Sequence, residues 1–235
     1  MYLRDHSQKV MKLNLLEEYL LLALDDEKGK FVIDSTRLHF GFAGAVLLEL
    51  ALRGKIQVEG ERLILNDRNY EPEMSVNKMI DIIREQDEPT LKKSIEILAR
   101  KSADIKTDTL QRLINKGILK KEEHKVLWII PYDKYPTSNL TPENKVRKRL
   151  EDVISEHSPV DPHDLMLLSL IDATDLTKEA FRDKEDYKSI RDKIKEVTKD
   201  IKVSQVINKS IREIQAAIMI AITASIIVTS VATNN

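Results

Sequence analysis

Five histidines, His6, His39, His124, His157 and His163, are scattered over unrelated parts of the chain. None stands at the i, i+4 spacing that would put two metal ligands on one helical face around an intervening acid. The closest pair, His157 and His163, straddles Pro159, and all five read as solvated loop residues rather than ligands. Asp25, Asp26 and Glu27 lack the alternating oxygen ligands and closing glutamate of a calcium loop, so they read as a solvated turn. Gly41-Phe-Ala-Gly lacks the spacing and terminal Lys-Ser/Thr of a phosphate loop. Cysteine is absent, which removes thiolate nucleophiles, disulfides and cysteine-containing zinc sites. No catalytic residue, metal or cofactor is assigned, and the expectation is a non-enzymatic protein.

Charge points to binding instead. Between Leu91 and Lys125 stand ten basic residues (Lys92, Lys93, Arg100, Lys101, Lys106, Arg112, Lys116, Lys120, Lys121, Lys125) against five acids, in a chain whose formal net charge is −1. Each lysine or arginine close to an anionic membrane contributes about 1 kcal/mol, so several on one face could sustain reversible docking. An ordinary solvated helical face is the competing reading. The single tryptophan, Trp128, closes this region in the run Val126-Leu-Trp-Ile-Ile, where it suits a membrane or partner interface, although a core-facing strand is the commoner place for such a residue. A hairpin after a helix also fits a winged helix with the Thr107–Lys116 helix in a DNA groove, a reading that Asp108 and the near-neutral charge weaken. A protein-interaction scaffold is the third possibility.

The elements that must position these residues are mainly helical. Six Gly and seven Pro are too few for a sandwich of many short strands, while 42% hydrophobic and 33% charged residues describe a filled core under a solvated surface. Apolar spacing predicts an amphipathic helix over Leu13–Leu24, a β-type run at Phe31–Ile33, and a helix over Gly41–Leu52 whose Gly41, Ala43, Gly44 and Ala45 permit close packing. Lys55–Glu59 and Arg62–Leu65 read as a hairpin about Gly60. Helices follow over Ser75–Glu85, Thr90–Lys101 and Thr107–Lys116, then a second hairpin with strands Ile118–Lys121 and Lys125–Ile130. Pro142 opens a helix to about Glu156; Leu165–Ile171 and one or two polar helices within Lys178–Lys199 come next.

A long apolar helix, Ser204–Val231, ends the chain. Its uncharged part, Ile214–Thr233, is long enough to span a bilayer. Gln215 and five hydroxyl residues dilute it, no aromatic belt flanks it and two asparagines follow, so a buried core helix is favoured over a tail anchor. The N-terminus lacks a signal-peptide pattern. The expectation is a short tail over 1–11 and one cytoplasmic domain over 12–235.

Leu13-Asn-Leu-Leu-Glu-Glu-Tyr-Leu-Leu-Leu-Ala-Leu-Asp-Asp, Glu27-Lys-Gly and Leu47-Leu-Glu-Leu-Ala-Leu-Arg-Gly-Lys-Ile-Gln-Val, with Leu113-Ile-Asn-Lys-Gly-Ile-Leu and Tyr135-Pro-Thr-Ser-Asn, resemble landmarks of the Golgi phosphoprotein 3 family over about Lys12–Ala232. The resemblance implies a mainly helical domain around a buried apolar C-terminal helix, acting as a peripheral membrane adaptor. Eukaryotic members recognise phosphatidylinositol 4-phosphate and cytoplasmic protein tails. Ungapped extension sets the family's headgroup-pocket positions on Asp34, Ala43, Ala103 and Lys106, of which only Lys106 is cationic; Arg37, Arg100 and Lys101 could substitute from nearby. The implied site is therefore Arg37, Arg100, Lys101 and Lys106 on anionic headgroups, with Trp128 at a membrane or homo-oligomer contact and nucleic acid disfavoured. The altered pocket and missing N-terminal extension suggest a prokaryotic member.

Overall fold

The computed structural model describes residues 12–66, 74–126, 130–155, 161–182, 184–199 and 205–233. The predicted tail 1–11, His6, His157 and Trp128 lie outside them.

Helix α1 (Leu15–Leu22) starts at a capping box, in which Asn14 Oδ1 accepts from Glu17 N at 3.0 Å and Glu17 Oε2 accepts from Asn14 N at 3.0 Å. The predicted amphipathic helix is instead buried on every side, Glu17 and Glu18 included. The two acids are tolerated because basic groups from distant segments meet them: Lys116 Nζ lies 2.7 Å from Glu17, and Arg149 Nη2 lies 2.6 Å from Glu18.

Helix α2 (Ser35–Leu52) begins six residues before the predicted Gly41, because Asp34 caps it by accepting from Arg37 N at 3.0 Å. Its stretch Gly41–Ala51 is wholly buried. The small residues do what their spacing suggests: Gly41 admits the Tyr19 ring, whose Cζ would stand 2.5 Å from any added Cβ, and Gly44 admits Ile218. Tyr19 packs edge-on to Phe42 with centroids 5.7 Å apart.

Strands β1 (Ile56–Glu59) and β2 (Arg62–Leu65) form the predicted hairpin, pairing antiparallel with Ile56 opposite Leu65. Helices α3 (Met74–Arg84), α4 (Leu91–Arg100) and α5 (Ser102–Asn115) follow, α5 starting one turn and a half earlier than expected. The second hairpin differs from expectation. Its strands are β3 (Glu122–Val126) and β4 (Ile130–Lys134), so Glu122-Glu123-His124 belongs to a strand and not to the turn. Ile118 and Leu119 are instead core residues, pinned where Ser138 N donates to Ile118 O at 2.8 Å.

Helices α6 (Thr141–Ile154) and α7 (Pro162–Ala173), the single turn α8 (Thr177–Ala180), α9 (Tyr187–Lys199) and α10 (Gln205–Thr233) complete a mainly α domain with two small antiparallel sheets. The C-terminal helix departs from the fully buried rod expected of it. Ile211, Ile214, Ile218 and Ile222 form a buried stripe against α2, α4 and α7, whereas Met219, Ile220, Ile226 and Ile227 face outward. Between Lys209 and Ile227, where the helix is long and apolar enough to cross a membrane by length and composition, 28% is buried.

Candidate functional site

Helices α2 and α5 pack together, and α5 reaches the segment that leads into α2. Lys106, on the second turn of α5, holds its ammonium 5.4 Å from the centroid of half-buried Phe31. His39 stands alongside on α2: partial burial lowers its basicity and the Lys106 charge lowers it further. Arg37, on the first turn of α2, bonds the Asp34 side chain with its guanidinium while its backbone N–H completes the cap. Phe31, Arg37 and Lys106 are half-buried here and His39 is exposed.

The predicted residues are therefore divided. Lys106 and Arg37 stand at this end of α2. Arg100 ends the outward face of α4, with Lys92, Lys93 and Glu96. Lys101 lines a groove of about 710 Å³ between α3 and α5, with Lys78, Asp81, Glu85, Asp104 and Asp108 on its walls. At about 100° per residue, Lys106 lies roughly 160° around α5 from Asp104 and Asp108, so Lys101 and Lys106 serve different surfaces. Trp128 falls outside the described residues.

The positive run of the sequence is not one patch. Lys93 Nζ donates to Asp87 O at 2.9 Å, Arg112 and Lys116 face Glu17 at 3.5 and 2.7 Å, Lys120 pairs with Glu122 at 2.7 Å, and Lys121 pairs with Asp133 at 3.2 Å. Of the family-pocket positions, Asp34 is a helix cap, Ala43 is fully buried, Ala103 is exposed on the first turn of α5 and Lys106 carries the charge. Phe31 and His39 were not chosen from the sequence. An aromatic three residues before an N-cap aspartate was a signal, but nothing local indicated that α5 would bring a lysine to it.

The titratable groups in the interior are structural. Glu18, Arg149, Asp164 and His163 join α1, α6 and α7, with His163 Nε2 2.9 Å from Glu18 and Arg149 Nε bonded to Asp164. Burial lowers His163, but the hydrogen bond and charge of Glu18 outweigh it and leave the imidazole above its usual value. His163 is thus a half-buried partner of Glu18 on the first turn of α7, correcting its reading as a solvated loop residue. Asp26, Glu143, Arg147, Glu179 and Arg182 form a second cluster, in which Arg147 Nη2 is 2.5 Å from Glu143 and Arg182 Nη2 is 2.5 Å from Asp26. Among the described residues no group of three or more His, Asp or Glu side chains could hold a metal ion.

Sequence comparison agrees with this helical architecture. A family model described as Golgi phosphoprotein 3 (GPP34) matches residues 15–214. The chain is also similar to vacuolar protein sorting-associated protein 74 of Schizosaccharomyces pombe, at 23% identity over 169 residues, covering 63% of this chain and 50% of that protein. It thus spans about half the length of this curated relative. With the family model matching from α1 well into α10, the chain belongs to the Golgi phosphoprotein 3 family.

Proposed function

We propose that this protein is a non-catalytic peripheral membrane protein that docks on acidic, phosphoinositide-like lipid headgroups at a cytoplasmic membrane surface. The observation that carries the reading is Lys106 poised over Phe31 beside His39, a cationic and aromatic contact in a chain of near-neutral total charge. A phosphate monoester needs convergent donors; Lys106 would supply one, Arg37 would have to exchange its Asp34 partner for the phosphate to supply a second, and Arg100 adds charge from α4. Lys101 contributes at longer range because it faces the α3–α5 groove. The absence of a catalytic role is supported by the interior: buried Glu17, Glu18, Glu49, Glu143, Asp164 and Asp172 each face a lysine or arginine within 3.5 Å. Protein tails, or further copies meeting at the hairpin that carries Trp128, would be the partners of such an adaptor.

Vesicle flotation tests the reading, comparing phosphatidylcholine alone with vesicles containing phosphatidylserine or phosphatidylinositol 4-phosphate at matched charge. Binding to anionic vesicles is expected, strongest with the phosphoinositide and weakened by salt. Lys106→Ala should lower affinity roughly fivefold, the effect of about 1 kcal/mol. Failure to float with any anionic vesicle at low ionic strength would refute docking.

A further inference from the structure

Of the acids in the second charged cluster, Asp26 alone sits on a loop, Glu143 and Glu179 being held by α6 and α8. The segment between α1 and α2 doubles back on itself, with Leu24 paired to Phe31, Asp25 N donating to Lys30 O at 2.9 Å and Gly29 N to Asp25 O at 2.8 Å. Its tip is tied to the chain leaving β4. Thr137 N donates to Asp26 O at 2.9 Å, Thr137 Oγ1 to Asp26 Oδ1 at 3.1 Å, and Tyr135 N to Gly29 O at 3.0 Å. A Cβ at Gly29 would stand 2.4 Å from Pro136 N, so the two segments meet backbone to backbone.

Charge in this cluster balances only with a proton. Asp26, Glu143 and Glu179 share two cations: Arg147 Nη2 lies 2.5 Å from Glu143 and 3.4 Å from Glu179, while Arg182 Nη2 lies 2.5 Å from Asp26 and 3.6 Å from Glu143. Arg182 Nη1 also reaches Glu179 at 3.5 Å. Glu143 is fully buried, and its Oε2 receives no hydrogen bond. With every group ionised, the cluster keeps one uncompensated buried negative charge. A protonated Glu143 removes that charge and donates to the Asp26 carboxylate beside it. Burial raises Asp26, but the hydrogen bonds of Glu143 and Arg182 outweigh it and keep this carboxyl below its ordinary value, so the proton belongs to Glu143.

We infer that the Asp26 loop is a proton-operated clamp, closed on Thr137 and Arg182 while Asp26 and Glu143 share a proton and released when that proton is lost. After release Glu143 and Glu179 balance Arg147 and Arg182, and Asp26, the surplus charge, moves into water without displacing a helix. The closed form binds the proton more tightly than the open one. Its ratio to the open form is therefore greatest below about 4.5, falls roughly tenfold per pH unit as pH rises from about 5, and levels off above about 7. Phe31 lies on the returning limb of the loop, so the clamp ties the docking end proposed above to pH, although the clamp itself does not rest on that reading.

Amide hydrogen exchange of the full chain without lipid tests the clamp, read by NMR from pH 5 to pH 8 and corrected for the intrinsic pH dependence of exchange. Protection of the Thr137 and Tyr135 N–H groups should fall by tens of fold in the wild type, and at each pH should stay below that of core amides such as Leu47, because the opening is local. Glu143→Gln cannot titrate, and Asp26→Asn keeps an acceptor for Thr137 while removing the surplus charge, so both should flatten the profile. A flat wild-type profile overturns the clamp, as does a fall that survives in either variant. Protection at Thr137 and Tyr135 equal to that of Leu47 also overturns it, since release would then be global unfolding. Should Glu143→Gln not fold, a slope that persists in Asp26→Asn overturns the clamp and its loss supports it.

Discussion

Replacing Glu143 by glutamine should flatten the pH dependence of stability above pH 5. Glu143 lies on the first turn of α6 and is fully buried, with Arg147 Nη2 2.5 Å from Oε1 and no hydrogen-bond partner for Oε2. Burial pushes its carboxyl up, Arg147 pulls it down, and the hydrogen bond and charge of Asp26 push it up again, leaving it at about 7 against an ordinary 4.5. Arg182, 3.6 Å away, and Glu179, which faces Arg147 and Arg182, complete the charged surroundings. A carboxyl raised by folding takes up a proton as the chain folds. Its contribution is fully present below about 4.5 and is lost as pH rises through about 7. The interval corresponds to about 3 kcal/mol. Glutamine has the same shape, offers an N–H to Asp26 and cannot titrate. In urea unfolding followed by circular dichroism from pH 5 to pH 8, the wild type should therefore lose about 2.5 kcal/mol more than Glu143→Gln. Asp26→Asn should move the wild-type loss to lower pH, because it removes the neighbouring negative charge. Parallel pH profiles for wild type and Glu143→Gln would refute the assignment of Glu143 as the titrating group.

Gly41→Ala should lower stability by about 1–3 kcal/mol in thermal unfolding, because its Cβ meets the buried Tyr19 ring and the collision outweighs the better helix propensity of alanine. Ile218→Ala should cost about 3 kcal/mol by opening a cavity against α2, whereas Ile220→Ala, two residues away on the exposed face, should cost under about 0.5 kcal/mol. Equal losses would mean that α10 is rotated from the orientation described. Lys116→Met should destabilise by about 2–3 kcal/mol in urea unfolding, since Glu17 would stay buried with Arg112 at 3.5 Å as its remaining cation.

Legibility in the sequence followed locality. The class, the order of the elements and the first hairpin were readable, because apolar periodicity and turn residues report on segments a few residues long. The second hairpin was misplaced for the same reason: a charged triplet looks like a turn unless one knows that the ribbon stands in solvent, where Lys120 and His124 both flank Glu122. The candidate site was legible only in part. A run of cations is visible along the chain, but whether each cation is free depends on acids brought to it from elsewhere, and Arg112 and Lys116 prove to be committed to α1.

Residue types and spacing suffice to specify helices with a close-packed pair of glycines, the lack of thiol chemistry, and cations concentrated between Leu91 and Lys125. That α1 is buried all round comes from long-range packing, since Glu17 and Glu18 become tolerable through partners 99 and 131 residues away. Long-range packing also decides which stripe of α10 faces the core, because a helix apolar on nearly every side carries no local signal of its orientation. That choice is made by Gly44, whose missing side chain leaves room for Ile218 and so turns Ile220 and Ile227 outward.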